Sequence, residues 1–206
     1  MKKHFSIWLF LAIVVLLPMG VYGIVKWYEH NYTRLPVLGG SDHIITDYQL
    51  VNQYGEHASL ANCEGKITVN NFFFTHCISI CPKMIRNLKN VQQLYINDPS
   101  LLINSFTVDP ERDSVGQLRT YATRMDIQKN WQLITGDKKE IYKLARKSFM
   151  VVATDGDGGP NDFIHSELFV LVDKEKRIRG FYNGTDNAEV NNLIRDIKRL
   201  EKEYGR

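Results

Sequence analysis

The alternation of apolar and polar positions along the chain predicts strands and helices in a regular order. Ile67–Phe74 and Leu101–Val108 are β-branched and aromatic runs typical of buried strands. Helical spacing of apolar residues follows each run, first from Pro82 and then from an N-cap at Ser114 through Arg124. The remaining predicted elements are strands at Tyr48–Asn52 and His57–Leu60 around a turn at 54–56, a strand at Gln132–Thr135, a helix at Asp137–Phe149, paired strands at Glu167–Val172 and Arg177–Tyr182, and a helix from Ala188 to Tyr204. This order predicts an α/β sandwich with a mixed sheet.

The first 26 residues follow a different pattern, in which no face is polar. Phe5–Val25 contains no charged side chain, and at about 1.5 Å per residue it reaches roughly 30 Å, the thickness of the bilayer hydrocarbon core. Lys2 and Lys3 favour a cytoplasmic N-terminus. We therefore predict a single-pass inner-membrane anchor at 1–26, a tether at 27–45 and a periplasmic, extracytoplasmic domain at 46–206. A cleaved signal peptide is the alternative, although the apolar run exceeds the usual core of about 7–15 residues.

The net charge of the chain is concentrated around this apolar run. The sequence has 26 Lys and Arg against 23 Asp and Glu, a formal net charge of +3. Residues 1–34 hold four basic side chains and one acidic side chain, so the remainder of the chain is neutral. A neutral body lacks the clustered basic charge of nucleic-acid-binding proteins, and we expect no nucleic-acid partner. The three cysteines are too few for a disulfide-stapled scaffold or a four-cysteine zinc site.

Cys77 and Cys81 lie between the first buried strand and the helix that follows it. Their four-residue spacing at a helix start brings both sulfurs to one side, and a helix N-terminus favours the thiolate form. Two converging thiolates suit Cu(I) binding or reversible disulfide formation, which makes Cys77 and Cys81 a candidate redox-active pair. A structural disulfide or two inert thiols is the alternative. Cys63 has no partner at a readable spacing and is expected to be a small, semi-buried residue.

A soft-metal site built on two thiolates commonly includes an imidazole as well. Six histidines are present, and His165 stands out because it follows a glycine-rich loop and precedes the apolar strand ELFVLV. A lone histidine before a strand is usually structural, so spacing alone does not assign His165 as a ligand. His76 adjoins Cys77 directly, and its side chain is expected to diverge from that of its neighbour.

Several motifs, in order along the chain, together resemble the Sco/SenC family of membrane-anchored copper proteins. FFFTHCISICPKM resembles the family's Cys-x-x-x-Cys-Pro segment, SFTVDPERDS its Asp-Pro-Glu-Arg-Asp signature, LITGDKKEIYKLARKSFMV its glycine-bearing strand–helix segment, and DFIHSELFVLVD the segment with its histidine ligand. The resemblance covers about residues 48–200. It implies a thioredoxin-like fold with an added N-terminal β-hairpin, and it places the copper ligands on Cys77, Cys81 and His165.

The resemblance implies a copper metallochaperone. Such a protein would hold Cu(I), with Cu(II) open as a second state. It would deliver copper to the dinuclear copper centre in the copper-bearing subunit of cytochrome c oxidase, or to another cuproprotein. A disulfide between Cys77 and Cys81 would be the metal-free form, and a thiol reductant protein would open it. The alternative is a thiol–disulfide oxidoreductase in which Cys77 attacks client disulfides, Cys81 resolves them and His165 is dispensable.

The signature loop carries Asp109, Glu111, Arg112 and Asp113, for which we expect capping and loop stabilisation rather than chemistry. Two features depart from the family pattern. The strand ITVNN is more polar than the corresponding strand of the family, and Cys63 is a cysteine that the family pattern lacks. Cys63 would interfere with the Cys77–Cys81 pair by disulfide exchange if it lay near them.

Overall fold

The computed structural model describes residues 13–27, 34–40, 42–152, 164 and 166–205. His165, residues 1–12 of the predicted anchor and parts of the predicted tether lie outside these ranges. Residues 13–27 form helix α1, and its large apolar side chains are exposed. Over the ranges just given, no helix is both long and apolar enough to cross a membrane. The anchor and the two predicted boundaries between the three segments therefore stay predictions.

A seven-stranded mixed sheet forms the centre of the fold, in the order β2-β1-β5-β4-β3-β6-β7. The strands are β1 Leu50–Asn52, β2 His57–Ala58, β3 Ile67–Phe73, β4 Leu101–Thr107, β5 Trp131–Thr135, β6 Leu168–Val172 and β7 Ile178–Asn183. β3, β4 and β5 run parallel, whereas β1 and β6 join them antiparallel. The mixed sheet and the added hairpin, β1–β2, are as the sequence predicts.

Four helices pack against this sheet: α2 Cys81–Leu94, α3 Val115–Arg124, α4 Lys138–Lys143 and α5 Asn187–Glu203. Ser114 is the N-cap of α3, where its hydroxyl accepts a hydrogen bond from the Gln117 N–H, as the sequence predicts. The predicted helix over Asp137–Phe149 is α-helical only at α4, because Leu144–Ser148 continues as a π-helical turn. The Phe149 N–H accordingly donates to the Leu144 carbonyl, five residues earlier.

The two faces of the sheet carry separate apolar cores. Because side chains alternate along a strand, Val69 and Phe73 point to the face covered by α2, α3 and α5, where Cys81 also lies. Phe72 points to the other face, which α4 and the π-helical turn cover and where Cys63 lies. The first core therefore positions the start of α2, and the second holds the unpaired cysteine.

The polar residues of the central strands are paired across β3 and β4. Asn104 Nδ2 donates to Asn70 Oδ1 at 3.1 Å, and Ser105 Oγ donates to Asn71 Oδ1 at 2.6 Å. The indole N–H of the fully buried Trp131 donates to Ser105 Oγ at 2.8 Å. A buried polar group that is hydrogen-bonded avoids most of its desolvation cost. The polar strand that departs from the family pattern is accommodated in part in this way, since among the described residues Asn71 Nδ2 and Asn104 Oδ1 are buried with no hydrogen-bond partner.

The segment before β1 is attached to the domain through Arg179 on β7. This guanidinium, only 4% exposed, donates hydrogen bonds to the Leu35 carbonyl at 2.6 Å, to Glu203 on α5 at 2.8 Å and to Asp173 at 2.8 Å. Leu38 forms an antiparallel bridge with Ile178. Residues 35–38 therefore lie along the edge strand of the sheet.

Candidate functional site

The two cysteines lie on the turn that joins β3 to α2. The Cys77 N–H donates to the Phe74 carbonyl at 3.3 Å and closes this turn. α2 begins at Cys81, with Pro82 as its second residue, where a missing N–H costs no helical hydrogen bond. The end of a strand and the start of a helix thus fix the backbone on both sides of the cysteine pair.

Cys77 and Cys81 lie next to each other where the turn meets the start of α2. The backbone N–H of Cys81 donates to Cys77 Sγ at 3.4 Å. Both residues are free thiols. Cys77 is half-buried, whereas Cys81 is only 3% exposed. The spacing argument is right in its geometry, since both sulfurs point to one place.

The two thiols differ in acidity. Burial raises the pKa of Cys77, but hydrogen bonds from the Cys81 thiol and from the backbone N–H groups of Cys81 and Ser79 outweigh it and lower the pKa below its ordinary value. Burial, followed by the thiol's hydrogen bond to Cys77, raises the pKa of Cys81 to about 12. Since the thiolate is the nucleophile and the metal ligand, we expect Cys77 to be the more reactive member of the pair.

The carboxylate of Asp113 fixes the start of the cysteine turn through hydrogen bonds. Asp113 is fully buried and accepts hydrogen bonds from the Thr75 N–H at 3.0 Å, the Thr75 hydroxyl at 2.5 Å and the Thr107 hydroxyl at 2.5 Å. It thereby joins the ends of β3 and β4 to the start of α3. The expectation that the signature loop stabilises local structure is correct for this residue.

The other residues of the signature loop lie nearer the surface. Arg112, 72% exposed, pairs with Asp109 at 3.8 Å, and Glu111 is exposed. An exposed ion pair of this kind contributes at most about 1 kcal/mol. Only Asp113 therefore acts directly on the cysteine turn.

His76 and Tyr121 are neighbours of the pair that sequence reasoning did not assign to the site. His76 Nδ1 lies 3.1 Å from Thr75 Oγ1, and the side chain is 55% exposed. Burial, together with the negative charge of the Cys81 thiolate, raises the pKa of Tyr121 to about 12. Tyr121 is buried on α3, and the sequence pattern of that helix does not show that α3 faces the cysteines.

His165 lies outside the described residues, so its predicted ligand role has no structural test here. The strand that follows it can be placed: β6 pairs antiparallel with β3, with Asn70 opposite Val170. β6 therefore begins at the end of the sheet where β3 ends and the cysteine turn starts. Within the part of the chain that the structure describes, no group of three or more His, Cys, Asp or Glu side chains is arranged to hold a metal ion.

Cys63 lies on the opposite face of the sheet from Cys77 and Cys81. It is 8% exposed and accepts a hydrogen bond from Asn104 Nδ2 at 3.5 Å, with the Tyr48 hydroxyl 3.8 Å away. Burial raises the pKa of this thiol. The sheet therefore lies between Cys63 on one face and the pair Cys77 and Cys81 on the other. Disulfide exchange between Cys63 and the pair has no route in the folded chain.

A comparison with protein-family models matches residues 38–202 to the family described as SCO1/SenC. Among curated proteins, the chain is 32% identical over 157 residues to the SCO1 protein homolog of Bacillus subtilis (strain 168), which covers 75% of this chain and 81% of that protein. It is 31% identical over 147 residues to the mitochondrial SCO2 homolog of Danio rerio, covering 68% of this chain. The match spans only about half, 52%, of the Danio protein.

Solved structures give the same result. A SCO1/SenC family lipoprotein from Bacillus anthracis str. Ames matches with a TM-score of 0.68 and 27% identity, covering 81% of this chain and 99% of that one. BsSco, a member of the Sco family of cytochrome c oxidase assembly proteins with a disulfide switch, matches with a TM-score of 0.66 and 28% identity. The match covers 80% of this chain and 96% of BsSco. Arabidopsis thaliana ScoI with copper bound matches with a TM-score of 0.60 and 26% identity, covering 76% of this chain and 99% of that one. These likenesses confirm the predicted thioredoxin-like α/β fold.

Proposed function

The chain belongs to the SCO1/SenC family, and from that premise we propose that it is an extracytoplasmic copper chaperone for the assembly of cytochrome c oxidase. The observation that carries the proposal is the pair of free thiols, Cys77 and Cys81, that share a hydrogen bond at the start of α2. Thiolates are ligands that Cu(I) prefers. The copper-bound relative from Arabidopsis and the assembly family that includes BsSco support copper as the cargo and the oxidase as the client.

Copper binding to this pair is coupled to proton release. Cys77 loses its proton more readily than an ordinary thiol because its pKa is lowered, whereas Cys81, with a pKa of about 12, loses its proton only as the ion binds. The buried position of Cys81 keeps water from that side of the ion. The pair therefore takes up copper at neutral pH in exchange for protons and keeps it from hydrolysis and oxidation.

His165 is the proposed third ligand. The support comes from the motif that carries it and from the position of β6, which begins beside the end of β3 and hence beside the cysteine turn. The sequence predicts a loop directly before His165, and delivery of an ion requires exchangeable ligands.

A membrane anchor at residues 1–26 completes the proposal. Its support is the uncharged run Phe5–Val25 and the exposed apolar side chains on helix α1. The anchor would place the domain on the periplasmic side of the inner membrane, where the client's copper-bearing subunit is assembled. Membrane fractionation of the full chain and of a chain lacking residues 1–26 tests this part independently of copper.

The copper proposal is tested by anaerobic Cu(I) titration of the full chain in detergent against a competing Cu(I) chelator. We expect one tightly held copper per chain, lost in Cys77→Ser and in Cys81→Ser and weakened in His165→Ala. Matched controls are Cys63→Ala, on the far face of the sheet, and His57→Ala, an exposed histidine of β2. Retention of one copper by a chain lacking both Cys77 and Cys81 would overturn the proposal.

A second candidate function is thiol–disulfide exchange, which the difference in acidity between the thiols favours. The Cys77 thiolate attacks a client disulfide, forms a mixed disulfide and expels one client thiolate, which takes up a proton. Cys81 then loses its proton and attacks Cys77 Sγ, which releases the second client thiol and leaves a Cys77–Cys81 disulfide. The client gains two electrons, and a thiol reductant protein must return two electrons to this chain.

His165→Ala separates the two functions. Copper retention and reduction of a client disulfide are measured on the same preparation. A chaperone with three ligands loses copper affinity in this variant, whereas an oxidoreductase keeps its full rate. Unchanged copper affinity would contradict the role of His165 as a ligand.

A further inference from the structure

The chain is fixed to the domain from Leu35 onward. The Leu35 N–H donates to Glu203 Oε1 at 2.7 Å, and the Leu35 carbonyl accepts from Arg179 Nη2 at 2.6 Å. The Leu35 side chain is 7% exposed and belongs to the core on the α5 side of the sheet. Further along, the Ile45 N–H donates to the Lys176 carbonyl at 2.8 Å. The point at which the chain enters the domain is therefore set by β7 and the end of α5.

This entry point lies at the end of the sheet opposite the cysteine turn. β6 runs antiparallel to β3, with Val172 opposite Thr68, so the turn at 173–177 lies beside the start of β3. α5 ends at the same place, where the Tyr204 hydroxyl donates to Glu175 at 2.6 Å. We call the tether end the surface formed by residues 173–177, the last two turns of α5 and Leu35. Because β3 has seven residues, roughly 20 Å separates this end from the cysteine turn.

The chain between the proposed anchor and the tether end is short. Seven residues, 28–34, separate Leu35 from Trp27, the last residue of α1. An extended chain covers at most about 3.3–3.6 Å per residue, so Leu35 lies within roughly 30 Å of the end of α1. This length brings the tether end to the bilayer surface, and the charge of the domain then decides which side touches it.

The tether end carries lysines that have no carboxylate partner among the described residues: Lys174, Lys176, Lys198 and Lys202. Lys198 and Lys202 are exposed and four residues apart, on one face of α5. The Lys174 ammonium lies 5.1 Å from the centre of the Tyr204 ring. The acidic side chains of this end have partners within the domain: Asp173 and Glu175 pair with Arg177, Glu203 pairs with Arg179, and Glu201 accepts a hydrogen bond from the Tyr95 hydroxyl.

We propose that the tether end lies against the anionic headgroups of the membrane that holds the anchor, with these four lysines as its contacts. A lysine near an anionic bilayer strengthens binding roughly fivefold. The attraction falls off within about 10 Å at 0.1 M salt, a range that the short connection to the anchor keeps within reach. This inference rests on the anchor in the proposed function and gives the anchored domain one orientation. The cysteine turn then points away from the bilayer, and the molecule that receives copper meets it roughly 20 Å beyond the tether end.

The test is lysine acetylation of the full chain in lipid nanodiscs, followed by mass spectrometry of its peptides. One set of discs contains phosphatidylcholine with phosphatidylglycerol, and the other contains phosphatidylcholine alone. We expect acetylation of Lys198 and Lys202 to be about fivefold slower in the anionic discs. Lys83 and Lys139, which are exposed at the cysteine end of the domain, serve as controls in the same sample and keep their rates.

A charge-reversed pair identifies the contacts. Lys198→Glu combined with Lys202→Glu is expected to remove the slower acetylation of Lys174 and Lys176 in anionic discs. The matched control combines Lys83→Glu with Lys139→Glu and leaves it in place. Both pairs change exposed side chains, which rarely alters stability by more than about half a kcal/mol.

The outcomes separate this orientation from the function on which it rests. Equal rates at Lys198 and Lys202 in the two kinds of disc, or equal slowing at Lys83 and Lys139, overturn the orientation and leave the anchor intact. A full chain that does not co-purify with nanodiscs overturns both the anchor and the orientation. Copper binding by the cysteine pair is measured separately by the Cu(I) titration, and it does not depend on either result.

Discussion

The hydroxyl of Thr75 lies 2.5 Å from Oδ1 of Asp113, and the backbone N–H of Thr75 lies 3.0 Å from Oδ2. One buried carboxylate thus fixes both the backbone and the side chain of a residue two positions before Cys77. The same carboxylate accepts from Thr107 at the end of β4. The position of the cysteine turn therefore depends on a residue 36 positions further along the chain.

Asp113→Asn is expected to weaken copper binding and to lower the stability of the fold together. The substitution removes a charged acceptor from three buried donors, at a cost of about 1–3 kcal/mol in the free energy of unfolding, and it loosens the turn that positions Cys77. Copper affinity from chelator competition and urea unfolding followed by the fluorescence of the buried Trp131 measure the two effects. Glu111→Gln is the matched control, because Glu111 lies in the same loop and is exposed. Equal copper affinities in the two variants would refute the positioning role.

Cys77 is expected to react with iodoacetamide before the other two cysteines at pH 7.5. Its pKa is lowered, whereas the pKa of Cys81 is about 12 and burial raises the pKa of Cys63. Mass spectrometry of peptides from the metal-free, reduced chain gives the rate at each position. In Cys77→Ser the fast reaction is expected to disappear without being taken over by Cys81. Similar rates at Cys77 and Cys81 in the wild type would contradict the difference in acidity.

The sequence alone locates most of the fold because periodicity is a local property of the chain. The predicted strand at Ile67–Phe74 and the predicted helix from Ser114 differ from β3 and α3 by about one residue at their ends. The π-helical turn at Leu144–Ser148 was not predicted, since its apolar spacing also fits an ordinary α-helix. Tertiary packing, and not the local pattern, decides that change of hydrogen bonding.

The candidate site is only partly visible in the sequence. Cys77 and Cys81 are only four residues apart, so the short spacing predicts that they lie close together, but the turn before α2, and not helix geometry, sets their arrangement. The chain of contacts from Asp113 through Thr75 to His76 joins residues on different elements, and a single sequence carries no signal for such contacts. The same holds for Cys63, whose separation from the pair depends on the face of the sheet on which it lies.

Asp173 is expected to make the stability of the domain sensitive to acid. Burial raises the pKa of its carboxyl, but hydrogen bonds from Arg177 and Arg179 outweigh it and hold the pKa below its ordinary value. Because the pKa in the folded chain is lower than in the unfolded chain, this stabilisation is fully present above the unfolded pKa of about 3.9. It is lost as the pH falls through the folded pKa.

Asp173→Asn tests this dependence. We expect it to cost about 1–3 kcal/mol at pH 7, because it removes a charged acceptor from Arg177 and Arg179 while Glu203 still pairs with Arg179, and to flatten the fall in stability between pH 5 and pH 2. Urea unfolding across that pH range provides the measurement. Asp42→Asn is the control, since Asp42 is an exposed carboxylate before β1. A variant that loses stability with acid as steeply as the wild type would contradict the assignment.

Gly184, directly after β7, is expected to tolerate no side chain. A Cβ at this position would lie 2.5–2.9 Å from three atoms of the Phe169 ring, which is fully buried. The ring has no free space to move into, so Gly184→Ala is expected to lower the free energy of unfolding by about 1–3 kcal/mol. Gly116→Ala is the matched control: its nearest atom is Ser114 Oγ at 4.0 Å on the exposed side of α3, and alanine there favours the helix by up to about 1 kcal/mol. Opposite changes in the urea midpoints of the two variants are therefore expected, and a Gly184→Ala chain as stable as the wild type would show that the Phe169 ring has room to move.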